Sequence, residues 1–286
     1  MKRKFYKYQG AGNDFLIADN RDGSIWLTPE QIAGLCDRRY GVGADGLMLL
    51  DAPDNDLESG CSDAFRMTYY NSDGSGGMMC GNGGRCIVAF AADMGIREFS
   101  FSAADGRHYA EILAEDGRTK TVRLQMQDVE SIFSHEALTG VSVPSSGYFL
   151  DTGTRHFVRI VEGLDNYDVV GEGRDIRFNA EELKPIGANV NFIQLSEDGL
   201  LHVRTYEKGV EDETFACGTG IVASCIAAYN AGMEPSQRLS EGYVRYDVMA
   251  KRDRLSVEFR PIDGIDGVAD NIFLTGPATF VAEILI

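Results

Sequence analysis

Met79-Cys80-Gly81-Asn82-Gly83-Gly84-Arg85-Cys86 runs into the apolar stretch Ile87-Val88-Ala89-Phe90-Ala91-Ala92, and the chain writes this arrangement nearly twice. The second copy is Ala216-Cys217-Gly218-Thr219-Gly220, followed by Ile221-Val222-Ala223-Ser224-Cys225-Ile226-Ala227-Ala228. In each, a cysteine precedes glycine, a short polar residue, a second glycine and an Ala-rich apolar run. Runs of that length and composition read as buried helices. Asn82 and Thr219 are good N-cap types, so each cysteine is expected at or just before a helix start. A helix start offers backbone N–H groups without intrahelical partners, together with the positive end of the macrodipole. Such a site holds an anion, a carboxylate included, and lowers the pKa of a cysteine thiol.

Cys80 and Cys217 lie 137 residues apart in a chain of 286, close to half its length. Internal duplication follows. A pseudo-symmetric pair of α/β domains would bring two such helix ends face to face, with two thiols flanking one small molecule. The surrounding pattern agrees. In the first half, strands are expected near residues 5–8, 15–19, 47–50, 65–70, 99–101, 108–113 and 121–126. In the second they are expected near 148–150, 157–161, 189–195, 201–206, 243–249, 255–259, 272–274 and 279–284; residues 166–178 are ambiguous. Asn71-Ser72-Asp73-Gly74-Ser75-Gly76-Gly77 is a polar loop feeding Cys80, as residues 207–214 feed Cys217. Glycines at Gly95 and Gly232 should end the two helices. The expected boundary between 113 and 122 gives an N-terminal domain of residues 1–117 plus 274–286 and a C-terminal domain of 118–273.

Two motifs between these landmarks are structural. Thr28-Pro29-Glu30-Gln31 has the form of a capping box with proline in the first turn. It predicts a helix carrying Ile32, Leu35 and Cys36 on one side and stopping near Tyr40-Gly41. Gly41-Val42-Gly43-Ala44-Asp45-Gly46 matches the dinucleotide pattern G-x-G-x-x-G, but that fingerprint needs a strand before it and a helix after it. Here the order is reversed, so the stretch reads as a helix-to-strand turn lining a pocket.

The net charge of −17 argues against nucleic acid or anionic membranes as partners. Lys2, Arg3, Lys4 and Lys7 form a basic start, but no apolar segment of a signal peptide follows. No apolar run reaches the roughly 18 residues of a membrane span. The expected location is the cytoplasm, where six cysteines are thiols rather than disulfides.

Two opposed thiols suit one chemistry. Inverting a stereocentre beside a carboxylate needs a base on one face and an acid on the other. A thiolate and a thiol do both jobs and exchange roles in reverse, with neither a metal nor pyridoxal phosphate as cofactor. For both sulfurs to reach one carbon at about 3–3.5 Å they must stand roughly 6–7 Å apart. That is far beyond the S–S bond of about 2.05 Å. A zinc site from Cys80, Cys86, Cys217 and Cys225 is disfavoured, because the intervals exceed the usual two to four residues. Cys86 and Cys225, inside the helices, read as core. Cys36 and Cys61 read as structural or incidental. His108, His135, His156 and His202 show no metal spacing; only His156, after a glycine turn at a strand start, is given a role. Glu211-Asp212-Glu213 reads as solvated surface.

Taken together, the motifs resemble diaminopimelate epimerase, of the cofactor-independent amino-acid racemases, over nearly the whole chain. The resemblance rests on residues 10–15, 41–46, 70–75, 79–83, 189–192 and 206–209 running into 217–220, whose order and spacing are jointly specific. It implies two similar domains, each a curved mixed sheet wrapped around a central helix. It implies epimerisation of L,L-2,6-diaminopimelate to the meso form, for lysine and cell-wall precursors, with a small diamino dicarboxylate as the partner. A homodimer is compatible with it. Cys80 and Cys217 match the two catalytic bases. Gly81, Asn82, Gly218 and Thr219 match the cradle of the reacting carboxylate. Asn13, Asn71, Asn189, Glu207 and the position of Lys208 match residues holding mainly the distal end of the substrate, and His156 a histidine near the site.

Two positions depart from the family pattern. Lys208 stands where arginine is usual, keeping the charge but losing the planar two-pronged contact. Gly153-Thr154-Arg155-His156 replaces a Gly-Asn-Pro-His pattern, which puts Thr154 in place of an asparagine and leaves Arg155 as a substitute guanidinium. Both bear on substrate choice and neither on the thiol pair. The competing readings are therefore a racemase of another amino acid such as histidine, a related proton-shifting isomerase, or a non-catalytic metal- or amino-acid-binding protein.

Overall fold

The computed structural model describes residues 3–53, 63–77, 79–262 and 269–286; Cys61 and most of the expected polar loop at 51–63 lie outside them. The chain divides into two compact units, Met1–Gln125 with Thr275–Ile286, and Met126–Leu274.

Unit 1 opens with the antiparallel pair β1 (Lys4–Gly10) and β2 (Asn13–Asn20). The turn between them needs positive φ at Ala11 (51°) and Gly12 (91°). Helix α1 (Pro29–Cys36) begins with the expected capping box, the Thr28 side chain and Gln31 exchanging hydrogen bonds with each other's backbone. It stops at Cys36, short of the expected Tyr40. Asp37 turns extended (φ −61°, ψ 125°), and its carboxylate accepts from the N–H groups of Arg39 and Tyr40 at 2.7 Å, which competes with further helix. The chain then enters β3 (Gly46–Asp51), parallel to β2, so Gly41 to Gly46 is a helix-to-strand turn. β4 (Phe65–Asn71), α2 (Gly81–Asp93), β5 (Ser100–Ala103), β6 (Gly106–Asp116) and β7 (Thr119–Gln125) follow.

Unit 2 contains β8 (Ile132–His135), β9 (Gly147–Asp151), β10 (Arg155–Ile160), α3 (Val169–Asn179), β11 (Asn189–Leu195) and β12 (Leu201–Glu207). Next come β13 (Asp212–Thr214), α4 (Gly218–Asn230), β14 (Gln237–Arg238), β15 (Val244–Met249) and β16 (Arg254–Pro261). The last strand, β17 (Ala269–Leu285), returns the chain to unit 1. The ambiguous stretch is thus helix α3, whose N-cap Asp168 accepts from Gly171 N at 2.8 Å. The two C-terminal strands expected at 272–274 and 279–284 are one, because Gly276 and Pro277 stay in register with Val122 and Thr121 of β7.

In unit 1 the pairings close on themselves: β1–β2, β2–β3, β3–β4, β4–β5, β5–β6, β6–β7, β7–β17 and β17–β1. Inside the ring lies α2, packed on β1, β2, β3, β6 and β7, with Gly81 to Ala92 all buried. A helix that is small or apolar on every side can satisfy its backbone only internally, and its surface only by such enclosure. β7 belongs here, beyond the boundary expected at 117/118, because Gly117 (φ +59°) closes a β6–β7 hairpin and β17 takes the other edge.

Unit 2 repeats the pattern. β9–β10, β11–β12 and β15–β16 are antiparallel, while β10–β11 and β12–β15 are parallel. This is the alternation of β1–β2, β2–β3, β3–β4, β4–β5 and β5–β6. Helix α4, buried along nearly its whole length, packs on β9, β10, β11, β12 and β16.

Candidate functional site

The N-cap residue of α2 is Cys80 itself, and that of α4 is Cys217. The expected caps, Asn82 and Thr219, are instead the second residue of each helix, inside its first turn. Neither cysteine makes a side-chain cap bond, so the first-turn N–H groups are not taken up by the capping residue. The glycine three residues after each cysteine sits in close quarters: a Cβ at Gly220 would lie 2.5 Å from Asn191 Oδ1 and 3.2 Å from His156 Cε1, and one at Gly83 3.2 Å from Met48 Sδ.

In unit 1, Asn82 is buried and turned by two partners. Its Nδ2 donates to Asn13 Oδ1 at 2.5 Å, and its Oδ1 accepts from Arg85 Nη2 at 2.9 Å. Arg85, fully buried, also donates to Gly81 O at 3.3 Å. Asn13, at the start of β2, donates in turn to Asp45 Oδ2 at 3.1 Å. Asp45 belongs to a cluster with Asp14, Arg38 and Lys7. Burial opposes ionisation of Asp14, but Arg38 and Lys7 hold its carboxyl below the usual range. Asn71 ends β4 and binds Ser75 Oγ at 3.0 Å, shaping the loop before Cys80. The thiol of Cys80 is half-buried.

In unit 2, Cys217 is 8 % exposed, and its Sγ stands 3.5 Å from Thr219 Oγ1. Thr219 Oγ1 lies 3.0 Å from Thr154 Oγ1 and 3.1 Å from His156 Nε2; Thr154 Oγ1 is 2.9 Å from the same nitrogen. His156 is fully buried, and burial alone pushes its pKa down to about 3. Asn189 accepts from Lys208 N at 2.9 Å and donates to Arg155 O at 3.2 Å. Glu207 is half-buried, and the Lys208 side chain is exposed. Arg155 stacks its guanidinium 4.8 Å from the Phe149 ring centre. The acidic loop is less solvated than expected: Glu213 is bound by Arg204 at 2.8 Å and Lys251 at 3.2 Å.

Each unit therefore gathers its own share of the expected residues around one helix tip: Asn13, Gly81 and Asn82 about Cys80, and Thr154, His156, Gly218 and Thr219 about Cys217. Sequence reasoning missed Arg85, Asp45, Asn191 and Thr205. Arg85 had a signal, a charge inside an otherwise apolar helix, and Asn191 had one in the alternation of Asn189-Val190-Asn191. The remaining thiols among the described residues are core: burial pushes Cys36 up to about 11 and raises Cys86 and Cys225 further. Among the described residues, no three His, Cys, Asp or Glu side chains come together as a metal site, and no helix is long and apolar enough to cross a membrane.

A family model described as diaminopimelate epimerase matches residues 5–132 and 148–244. Diaminopimelate epimerase of Flavobacterium psychrophilum is 41% identical over 286 residues, covering 98% of each chain. That of Chlorobaculum tepidum is also 41% identical, covering 95% of this chain and 96% of its own. Among solved structures, a Bacillus anthracis phenazine biosynthesis protein of the PhzF family superposes with TM-score 0.72 at 15% identity, covering 100% of this chain and 99% of its own. A probable proline racemase from Agrobacterium radiobacter gives 0.69, also at 15% identity, covering 99% of this chain and 92% of its own. At that identity these two show a shared fold.

Proposed function

The chain belongs to the diaminopimelate epimerase family, and from that premise we propose that it interconverts L,L- and meso-2,6-diaminopimelate by proton transfer between two cysteine sulfurs, serving lysine and cell-wall precursor synthesis. The observation that carries this reading is the duplicated cysteine N-cap: two thiols, each at the start of a buried helix led by glycine.

In the proposed reaction the thiolate of one cysteine removes the α-hydrogen as a proton, leaving the electron pair on the α-carbon and its carboxylate. The thiol of the other cysteine delivers a proton to the opposite face, so the chain ends with the two sulfurs' roles exchanged. The backbone N–H groups at Gly81, Asn82, Gly218 and Thr219 would hold the carboxylate and its developing charge. Asn13, Asn71, Asn189, Glu207 and Lys208 would hold the rest of the substrate, with Glu207 on an amino group. His156 and Thr154 would act behind the Cys217 tip.

The test is turnover of L,L-diaminopimelate in deuterium oxide. One α-carbon should take up solvent deuterium as the meso form appears. No uptake from diaminopimelate, with clean exchange in another amino acid, rejects this substrate. That second reading has an observation behind it: Thr154 is already bonded to Thr219 and His156, and the Lys208 side chain is exposed. Both positions depart from the family pattern of substrate contacts. A panel of amino acids, histidine included, decides between the two.

A further inference from the structure

Asn191 and Thr205 have no part in the function proposed above, yet they fix the state of the residue behind Cys217. Asn191 lies fully buried on β11. One of its side-chain atoms faces the Phe157 carbonyl at 3.3 Å. A carbonyl oxygen only accepts, so that atom must be the amide nitrogen. The amide oxygen then receives the Thr205 hydroxyl at 2.9 Å. The amide's second N–H points to His156 Nδ1 at 3.1 Å. Nδ1 is therefore an acceptor and carries no hydrogen. Since burial keeps the ring neutral, its one hydrogen is on Nε2.

Counting hydrogens completes the argument. Three are available among Nε2, Thr154 Oγ1 and Thr219 Oγ1, which stand 2.9, 3.0 and 3.1 Å apart. The imidazole N–H donates into the hydroxyl pair, and one hydroxyl donates to the other. One O–H remains, and the further acceptor in contact with Thr219 Oγ1 is Cys217 Sγ at 3.5 Å. With the opposite tautomer, Nε2 would draw a hydroxyl hydrogen toward itself and away from sulfur.

We infer that His156 is a positioning residue: held as the Nε2–H tautomer by Asn191, it orients the Thr154 and Thr219 hydroxyls so that Thr219 donates a hydrogen bond to the sulfur of Cys217 and favours its thiolate. His156 thus does not take the thiol proton. The inference rests on the function proposed above only in treating Cys217 as an acid–base group. Tautomer control by a buried amide or carboxylate partner is a general device for setting an imidazole's role.

The test uses the full chain without substrate. With 15N-labelled histidine, and His156→Gln to assign the signals, the ring of His156 should be neutral with hydrogen on Nε2 at pH 7. An imidazolium or an Nδ1–H ring overturns the inference. Alkylation by iodoacetamide, followed peptide by peptide, reads the two thiols separately. Thr219→Val should cut the thiolate fraction of Cys217 about tenfold and its alkylation rate about threefold, because a more basic thiolate is also more nucleophilic. Cys80 should react as before, and Thr219→Ser should restore the Cys217 rate. An unchanged Cys217 rate in Thr219→Val overturns the inference. Asn191→Asp should move the hydrogen to Nδ1 and slow Cys217 likewise; if that variant does not fold, the wild-type spectrum and the Thr219 pair still decide. Inactivity toward diaminopimelate with these results intact rejects the substrate reading alone.

Discussion

In unit 2, His156, Asn191 and Thr205 occupy three strand positions behind the tip of α4; the positions in the same register of unit 1 hold Phe15, Met48 and Tyr69. The helices differ in the opposite sense. Arg85 is buried in the second turn of α2, and the matching residue of α4, 137 positions on, is Val222. Each unit thus buries polar support for its helix tip, carried by the helix itself in unit 1 and by the strands in unit 2. Asn82 is oriented by a guanidinium that stays charged at any accessible pH. Thr219 is oriented by an imidazole that burial keeps neutral. Duplication kept the backbone geometry, because enclosure of the helix demands it. The chemistry diverged, because a buried polar group needs a partner but not a particular one.

The sharpest way to break this comparison is to remove one thiol. If the two tips serve a single carbon, Cys80→Ser and Cys217→Ser should each lower α-hydrogen exchange by about 10²–10⁴-fold, since serine is a far weaker acid. Independent sites would leave about half the activity in each variant.

Next is the polar partner of each tip. Arg85→Met keeps much of the volume but removes the charged donor to the buried Asn82 Oδ1, and should cost about 3 kcal/mol in urea unfolding. Val222→Ala, at the matching position, loses only apolar burial and should cost about 2 kcal/mol. Equal costs would mean that Arg85 acts as packing alone.

Acid stability separates two buried histidines. The folded pKa of His156 lies near 3, below the unfolded value of about 6.5. The unfolded chain therefore binds the extra proton, and stability falls as pH drops from about 6.5 toward 3, by about 1.4 kcal/mol per unit. His108 in unit 1 is shifted the other way. Burial opposes its charge, but Asp105 at 2.9 Å and the Gln125 carbonyl outweigh that. Its contribution is fully present below about pH 6.5 and is lost as pH rises through its folded pKa. His156→Phe should flatten the acid limb of a stability–pH curve, and His108→Phe should deepen it.

The smallest effect concerns α1 and α3, which join matching strands of the two units. Thr28→Ala and Asp168→Ala each remove a side-chain N-cap and should cost about 1 kcal/mol in the same urea assay. A much larger loss at either would show that its helix tunes the tip beyond the first turn.

Most strands and three of the four helices in the described residues were legible from periodicity and capping. The misses had local causes. Asp37 ended α1 early by accepting from Arg39 and Tyr40. α3, with Gly171 and Gly173 and a charged face, carries a weak apolar pattern. β17 hid a continuous ladder behind Thr275-Gly276-Pro277. Of the candidate site, the cysteines and the glycines after them were legible because the chemistry is local to a helix start.

By itself, the sequence determined the duplication, the two enclosed helices and the cysteines at their tips, since small and apolar side chains in that order leave the backbone no other way to be satisfied. Only the tertiary structure decided what stands behind each tip. Arg85 finds Asn82 along its own helix, but His156, Asn191 and Thr205 meet through strand pairing, and the chain between them encodes no sign of which nitrogen holds the hydrogen. That depends on a single carbonyl of Phe157, brought within reach by the register of β10 and β11.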